Sequence, residues 1–255
     1  MLRLLVVLSI IVVILSIHGF HSAVSASAAE VSNELVNAAE LSDIGQVEDL
    51  LNQGVSINAV NEDGWTALMK AVYEGNADLV QLLIARGADV DVRENAGWTA
   101  LMMASQFGYT TIVKKLIAIG AVVNIKNSTG ATALMFAAIN GQDGVIRDLL
   151  EAGADINADD NQGKTALMSA ASNGYQFVVQ TLIVSGADVK SQDYSGNTAL
   201  ILATKQRKSD VVKVLLENCA NTKARDFDGK NALAWAREKK DIQIIKLFKN
   251  AKPCD

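Results

Sequence analysis

Histidine is almost missing from this chain. Its only two copies, His18 and His21, fall near the N-terminus, inside a stretch read below as a leader. With that leader removed, no histidine remains. Ser-His-Asp and Cys-His catalysis and every His-ligated metal site are then excluded. No glycine-rich phosphate loop is present either, and the acidic residues recur as turn formers rather than converging. The expectation is a protein that is not an enzyme and needs no cofactor or metal. Proline occurs once, as Pro253, and aromatic residues make up 5% of the chain. Few aromatics and abundant alanine suit closely packed short helices, because alanine is the best helix former. A net charge of −5 is mild and gives no global reason to expect nucleic acid.

What the chain has is a period. Gly64-Trp65-Thr66-Ala67-Leu68-Met69 returns as Gly97-Trp98-Thr99-Ala100-Leu101-Met102. It returns again as Gly130-Ala131-Thr132-Ala133-Leu134-Met135 and Gly163-Lys164-Thr165-Ala166-Leu167-Met168. Weaker copies follow at Gly196-Asn197-Thr198-Ala199-Leu200-Ile201 and Gly229-Lys230-Asn231-Ala232-Leu233-Ala234. The step is 33 residues each time, without insertion or deletion. A fixed period in this range means a stacked array rather than one globular core, and the array is read as one domain.

Residues Asn61 to Arg93 show the unit. Asn61-Glu62-Asp63-Gly64 reads as a tight turn with Gly64 at positive φ. Thr66 sits where a helix N-cap belongs. Ala67 to Tyr73 makes a short helix with Leu68, Ala71 and Val72 on its packing side, and Gly75 ends it. A second helix runs from about Ala77 to Ala85, with Leu79, Val80, Leu82, Leu83 and Ile84 apolar, and Gly87 stops it. Ala88-Asp89-Val90-Asp91 leads to the next turn. Neither helix is long enough to stand alone. Each carries an apolar stripe that only a neighbouring unit can cover, so the ends of the array need polar caps.

In these motifs the sequence resembles the ankyrin repeat family, whose pattern is Gly-x-Thr-Pro-Leu-His-x-Ala-Ala-x-x-Gly and then Val-Val-x-Leu-Leu-Leu-x-x-Gly-Ala-Asp-Val-Asn. Residues Gly163 to Gly174 and Val178 to Val189 follow it closely. Alanine replaces proline at Ala67, Ala100, Ala133, Ala166, Ala199 and Ala232. Methionine replaces histidine at Met69, Met102, Met135 and Met168, and is read as apolar packing. The resemblance implies an all-α ankyrin repeat solenoid of about seven helix-turn-helix units with turn or hairpin loops. An N-terminal capping repeat spans 29–60, with Asn33 as its N-cap. Five repeats follow at 61–93, 94–126, 127–159, 160–192 and 193–225, then a C-terminal cap and tail at 226–255. Arg207 and Cys219 stand where helix-ending glycines belong in the penultimate unit, and Lys240 does so in the last. This end is expected to be less stable than the middle.

The resemblance also implies a partner protein bound on the concave face, built from turn tips and the exposed sides of the first helices. On this chain the anchors expected there are Trp65, Tyr73, Trp98 and Phe107, with Glu62, Asp63 and Glu74 as an acidic rim. The alternative is that Trp65 and Trp98 stack on each other and stiffen the array. From Lys205 onward thirteen Lys/Arg face seven Asp/Glu. Lys205, Arg207, Lys208, Lys223, Arg225, Lys230, Lys239 and Lys240 dominate this positive end. Two readings stand: a solvated cap, or a docking patch for an acidic partner or an anionic membrane surface. Cys219 and Cys254 are the only cysteines, and an even count in an exported protein suggests a disulfide. Neighbouring units lie about 10 Å apart, beyond the ~7 Å limit for a bridge, so the tail after Lys252 must fold back; otherwise both thiols are free or intermolecular.

Residues 1–28 read as a secretory signal peptide. Arg3 precedes an almost unbroken aliphatic run, Leu4 to Ile17, and Ala23-Val24-Ser25-Ala26-Ser27-Ala28-Ala29 offers small-residue cleavage sites. The alternative is an uncleaved membrane anchor, against which the run is short of the ~20 residues a bilayer needs. The expected protein is periplasmic or secreted, monomeric on its own, and bound to another protein. It meets no nucleic acid, and it meets a membrane only if the leader is retained.

Overall fold

Each Gly-x-Thr-Ala-Leu copy starts a helix one residue after its threonine. In the computed structural model, which describes residues 29–251, Thr66, Thr99, Thr132, Thr165 and Thr198 all stand in extended backbone. The hydroxyl of each accepts from the N–H three residues on. Asn231 does the same in the last copy. Each such cap satisfies a backbone donor that the helix cannot, and contributes about 1 kcal/mol.

The described residues form fourteen helices and no strand. The first is α1, residues 29–40. Then come α2 Ile44–Asn52, α3 Ala67–Tyr73, α4 Ala77–Ala85, α5 Ala100–Phe107, α6 Thr110–Ala118 and α7 Ala133–Ile139. The rest are α8 Asp143–Glu151, α9 Ala166–Asn173, α10 Gln176–Val184, α11 Ala199–Lys205, α12 Ser209–Glu217, α13 Ala232–Glu238 and α14 Ile242–Asn250. From α3 onward, odd-numbered helices follow a hairpin; even-numbered ones follow a tight inter-helix turn. Isolated bridges, Val60 with Thr66 and Asp159 with Thr165, close two of the hairpins. One expectation fails locally. Asn33 lies inside α1 rather than capping it. No Gly-x-Thr turn precedes this helix, so Ala29 and Glu30, both good helix formers, extend it backwards.

The array forms two compact units rather than one, the first ending at Asp89 and the second starting at Val90. In the first, α3 packs on α4, and Leu35, Val36, Val47, Leu68, Met69, Val72, Leu79 and Leu83 are buried. Ion pairs link its helices: Lys70 with Glu40 at 2.9 Å, and Arg86 with Glu48 at 3.2 Å.

In the second unit the odd helices pack in file, α5 on α7, α7 on α9, α9 on α11 and α11 on α13. The even helices α6, α8, α10, α12 and α14 form a parallel file behind them, each also touching its own odd partner. Leu101, Leu134, Leu167 and Leu200 sit between the files, fully buried. Each contributes about 2–3 kcal/mol. Met102, Met135 and Met168 are buried beside them, filling with thioether the place of a polar histidine.

Two hydrogen-bond series fix the register. Hairpin to hairpin, the N–H of Ser128 donates to the Ala96 carbonyl, Asn161 to Thr129, Tyr194 to Gln162 and Phe227 to Ser195, at 2.9 to 3.0 Å. Loop to loop, a side-chain oxygen accepts the N–H 31 residues later: Asn58 from Asp89 in the first unit, and Asp91 from Val122, Asn124 from Asp155 and Asn157 from Asp188 in the second. The hairpin series explains one glycine. At Gly130, φ is +80°, and an added Cβ would lie 2.7 Å from the Asn161 nitrogen. Where helix-ending glycines are replaced, the backbone still takes positive φ: 56° at Arg207, 59° at Cys219 and 54° at Lys240. Each costs about 1–2 kcal/mol relative to glycine.

Candidate partner-binding surface

The hairpins hold their outward side chains by short polar turns. In the first unit the Asn61 carboxamide oxygen accepts from the N–H groups of Asp63 and Trp65. The Trp65 indole thereby lies edge-on to Tyr73, centroids 5.5 Å apart, with the Lys70 ammonium 4.8 Å from its centre. Tyr73 is exposed, as are Glu62, Asp63 and Glu74. This is an aromatic pair with exposed acidic residues beside it in the sequence.

In the second unit Glu94 takes the turn role, accepting from Ala96 and Trp98 N–H. Trp98 stacks on Phe136 of the next repeat, centroids 4.0 Å apart and planes 27° from parallel. Phe107, exposed, stacks on Tyr109 at 5.5 Å. The stacking partners Phe136 and Tyr109 were not foreseen. Phe136 lies in the apolar run Ala133 to Ile139 and reads as core. The clue was its repeat position, occupied by Lys70, Met103, Phe136, Ser169, Leu202 and Trp235. Its chemistry runs from lysine to tryptophan, and all but Met103 are half-buried.

The C-terminal end is less simply positive than its charge count. The Asp226 carboxylate, 2% exposed, pairs with the Lys205 ammonium at 2.8 Å. It also accepts from Trp235 Nε1–H at 2.7 Å and Lys230 N–H at 3.0 Å. Lys205 donates further to Asn197, whose amide nitrogen donates to Asp193. Lys230 pairs with Glu238 at 2.5 Å. Both lysines lie over the Trp235 ring, at 4.5 and 4.3 Å from its centre. The arrangement mirrors the first unit. Positions 65 and 230 are equivalent, as are 70 and 235, with tryptophan and lysine exchanged. Lys205 and Lys230 are thus spent on internal pairs, which corrects their place in an open basic patch. Arg207 donates to the Lys239 carbonyl and Arg225 to that of Gly229, which orients both without neutralising them. The Lys208 stem crosses Gly174. Lys223 and Lys240 are exposed and Lys239 half-buried.

Sequence reasoning passed over two strongly exposed aromatics of the hairpins. Tyr194 is 64% and Phe227 82% exposed. They occupy one hairpin-tip position in successive repeats, where earlier repeats have Glu62, Asn95, Ser128 and Asn161. Among the described residues no cysteine is free, and Cys219 is disulfide-bonded. Cys254 lies outside the described residues, as does the leader at 1–28. Among the described residues no helix is long and apolar enough to cross a membrane, and no group of His, Cys, Asp and Glu could hold a metal ion.

Short capped helices in file, with polar chemistry spent on turns and register and aromatics turned outward, define a helical repeat protein whose working part is a surface. The family described as "Ankyrin repeats (3 copies)" matches at residues 35–127, 101–193 and 177–255, and the chain belongs to it. No curated protein matches the chain. Ankyrin repeats are in general non-catalytic modules for protein–protein interaction.

Burial alone would raise the Asp226 pKa, but hydrogen bonds from Lys205, Trp235 and the Lys230 backbone, with the Lys205 charge, lower it below 3.8. A depressed carboxylate stabilises the fold above its unfolded pKa and loses that contribution as pH falls through the folded value. Urea midpoints of the wild type and Asp226→Asn should therefore differ most at neutral pH. The gap stays constant down to about pH 4 and closes progressively below it.

Proposed function

We propose that this chain is an exported, non-catalytic scaffold that grips a partner protein through the aromatic residues of its hairpins and odd-numbered helices. The observation that carries the reading is the outward aromatic set of the second unit, Trp98 on Phe136 and Phe107 on Tyr109. Rigid, pre-stacked rings offer contact area at low entropic cost, which is why aromatics dominate binding hot spots. Trp65 and Tyr73, bordered by Glu62, Asp63 and Glu74, extend the same chemistry to the first unit. Catalysis finds little support in the residues: no histidine follows the leader.

Export rests on the leader at 1–28, and the partner is a protein of the compartment beyond the membrane. A second reading keeps the leader as a membrane anchor and uses the C-terminal cations for an acidic partner. The turns α11–α12 and α13–α14 favour it, because Arg207, Lys208, Lys239 and Lys240 meet there through the Arg207 bond to Lys239.

The binding test uses a partner isolated from the envelope of the exporting cell. A Trp98→Ala, Phe107→Ala double variant that keeps its helical circular dichroism should bind at least about tenfold more weakly, a loss of ~1.4 kcal/mol or more. Unchanged affinity contradicts the assignment. Intact mass of the exported, non-reduced protein reads the address. A start between Ser25 and Ala29, with two hydrogens fewer than the reduced chain, supports cleavage and a Cys219–Cys254 bridge. A full-length mass supports the anchor.

A further inference from the structure

Cys219 stands just past the end of α12, where earlier repeats have Gly54, Gly87, Gly120, Gly153 and Gly186. A Cβ added at any of those glycines meets nothing within 4 Å, so a side chain at this position projects off the array into open space. Cys219 keeps their positive φ, at 59°, and is exposed. Packing therefore gives no reason for a cysteine here. A covalent bond does: Cys219 is in a disulfide, and Cys254 is the only other cysteine of the chain. The exit of α14 fits that pairing. In the earlier even-numbered helices the C-cap ψ lies between −4° and 31°, which keeps the chain on its helical course. At Ala251 ψ is 132°, so the chain leaves the α14 axis at once. Ala251 borders the same cleft as Cys219, with Leu216, Leu233 and Phe248. Cys254 follows three residues later, a reach of at most about 11 Å.

The residues between the two sulfurs include all of α13 and α14, and this repeat has the sparsest core of the second unit. α13 buries Ala232 and Ala236 and α14 buries Ile244 alone, where α11 and α12 bury five residues each. Among the described residues another repeat packs on one side of it only. We propose that the Cys219–Cys254 disulfide is a redox-sensitive clasp that decides whether α13 and α14 stay docked on the array. Closed, it ties both ends of the repeat to the end of α12 and removes most of the freedom the repeat would gain by undocking. An exposed bridge is open to thiol–disulfide exchange. One sulfur of a dithiol attacks the bridge and forms a mixed disulfide, and the dithiol's second sulfur displaces the cysteine. The protein is left with two thiols and the reductant with a disulfide, so atoms and electrons balance. Open, the repeat rests on its few buried residues and on the Asp226 bonds to Lys205 and Trp235. Undocking separates Arg207 from the Lys239 carbonyl and Asp226 from Trp235. The basic and aromatic surface of this end is thus assembled in the oxidised chain and dismantled in the reduced one, whichever partner the hairpin aromatics take.

Hydrogen exchange read by mass spectrometry tests the clasp on the native protein, without denaturant, before and after treatment with dithiothreitol. Amides of α13 and α14 should exchange at least about tenfold faster after reduction, those of α7 and α8 should not change, and oxidised glutathione should restore the slow rate. Cys254→Ser should exchange fast in these two helices with or without the dithiol. Cys219→Gly separates the clasp from the glycine that cysteine replaced. Glycine relieves the positive φ, so a position that matters only for its backbone predicts slower exchange than in the oxidised wild type. The clasp predicts exchange faster than in the oxidised wild type and slower than in the reduced one. Equal exchange before and after reduction, a bridge that resists the dithiol until the protein is unfolded, or a Cys219→Gly variant as protected as the oxidised wild type overturns the clasp.

Discussion

A helix of seven to nine residues does not hold together in water, and every helix from α2 to α14 is of that length. Everything else in this protein follows from that. The apolar stripe of each helix has to be covered by the next repeat, and the cover fits only in one register. Two independent hydrogen-bond series set the register from the two ends of the helices. Hairpin backbones bond to hairpin backbones, and exit-loop side-chain oxygens accept from the next exit loop. The invariant leucines and the threonine caps serve the same end. Side chains committed to this task change little from repeat to repeat, and variation is widest at outward positions.

Those outward positions carry the protein's individuality. At one end tryptophan stands on the hairpin with lysine on the helix, and at the other the two are exchanged. At the C-terminal end the exchange is built around a buried carboxylate. Asp226 draws together Lys205 from α11, Trp235 from α13 and the backbone of Lys230, so it ties the last repeat to the one before. That tie offsets what the same end loses elsewhere, three helix-ending glycines replaced by Arg207, Cys219 and Lys240 at positive φ. The weakness expected from the lost glycines is thus partly compensated by a network that no single residue announces.

How far the sequence could be read depended on whether a residue's role repeats. Thr66 and its equivalents, the bounds of α3 and α4, and burial of the methionine series were legible because the same role recurs from repeat to repeat. Asn33 misled because no Gly-x-Thr motif precedes it, so the pattern's start signal is absent. Phe136 and Trp235 were hidden among apolar helical neighbours, and only a comparison down the repeat position separates them from core. Tyr194 and Phe227 were legible in principle, as aromatics at a turn tip. They lie outside the repeats whose turns first drew notice. The ion pairs of Lys205 and Lys230 were not legible at all. A charge count sees thirteen cations in this region but not which of them a buried acid has already claimed.

The central claim, that no repeat of this chain is stable without its neighbours, is tested most directly by isolating one. A peptide spanning residues 130–162 contains α7 and α8 with the Thr132 cap and both closing glycines intact. Its far-ultraviolet circular dichroism should be that of an unfolded chain, with amide hydrogen exchange unprotected at Met135 and Leu149, while the same amides in the full protein are protected. Native-like helix signal and protection in the isolated peptide would contradict the account.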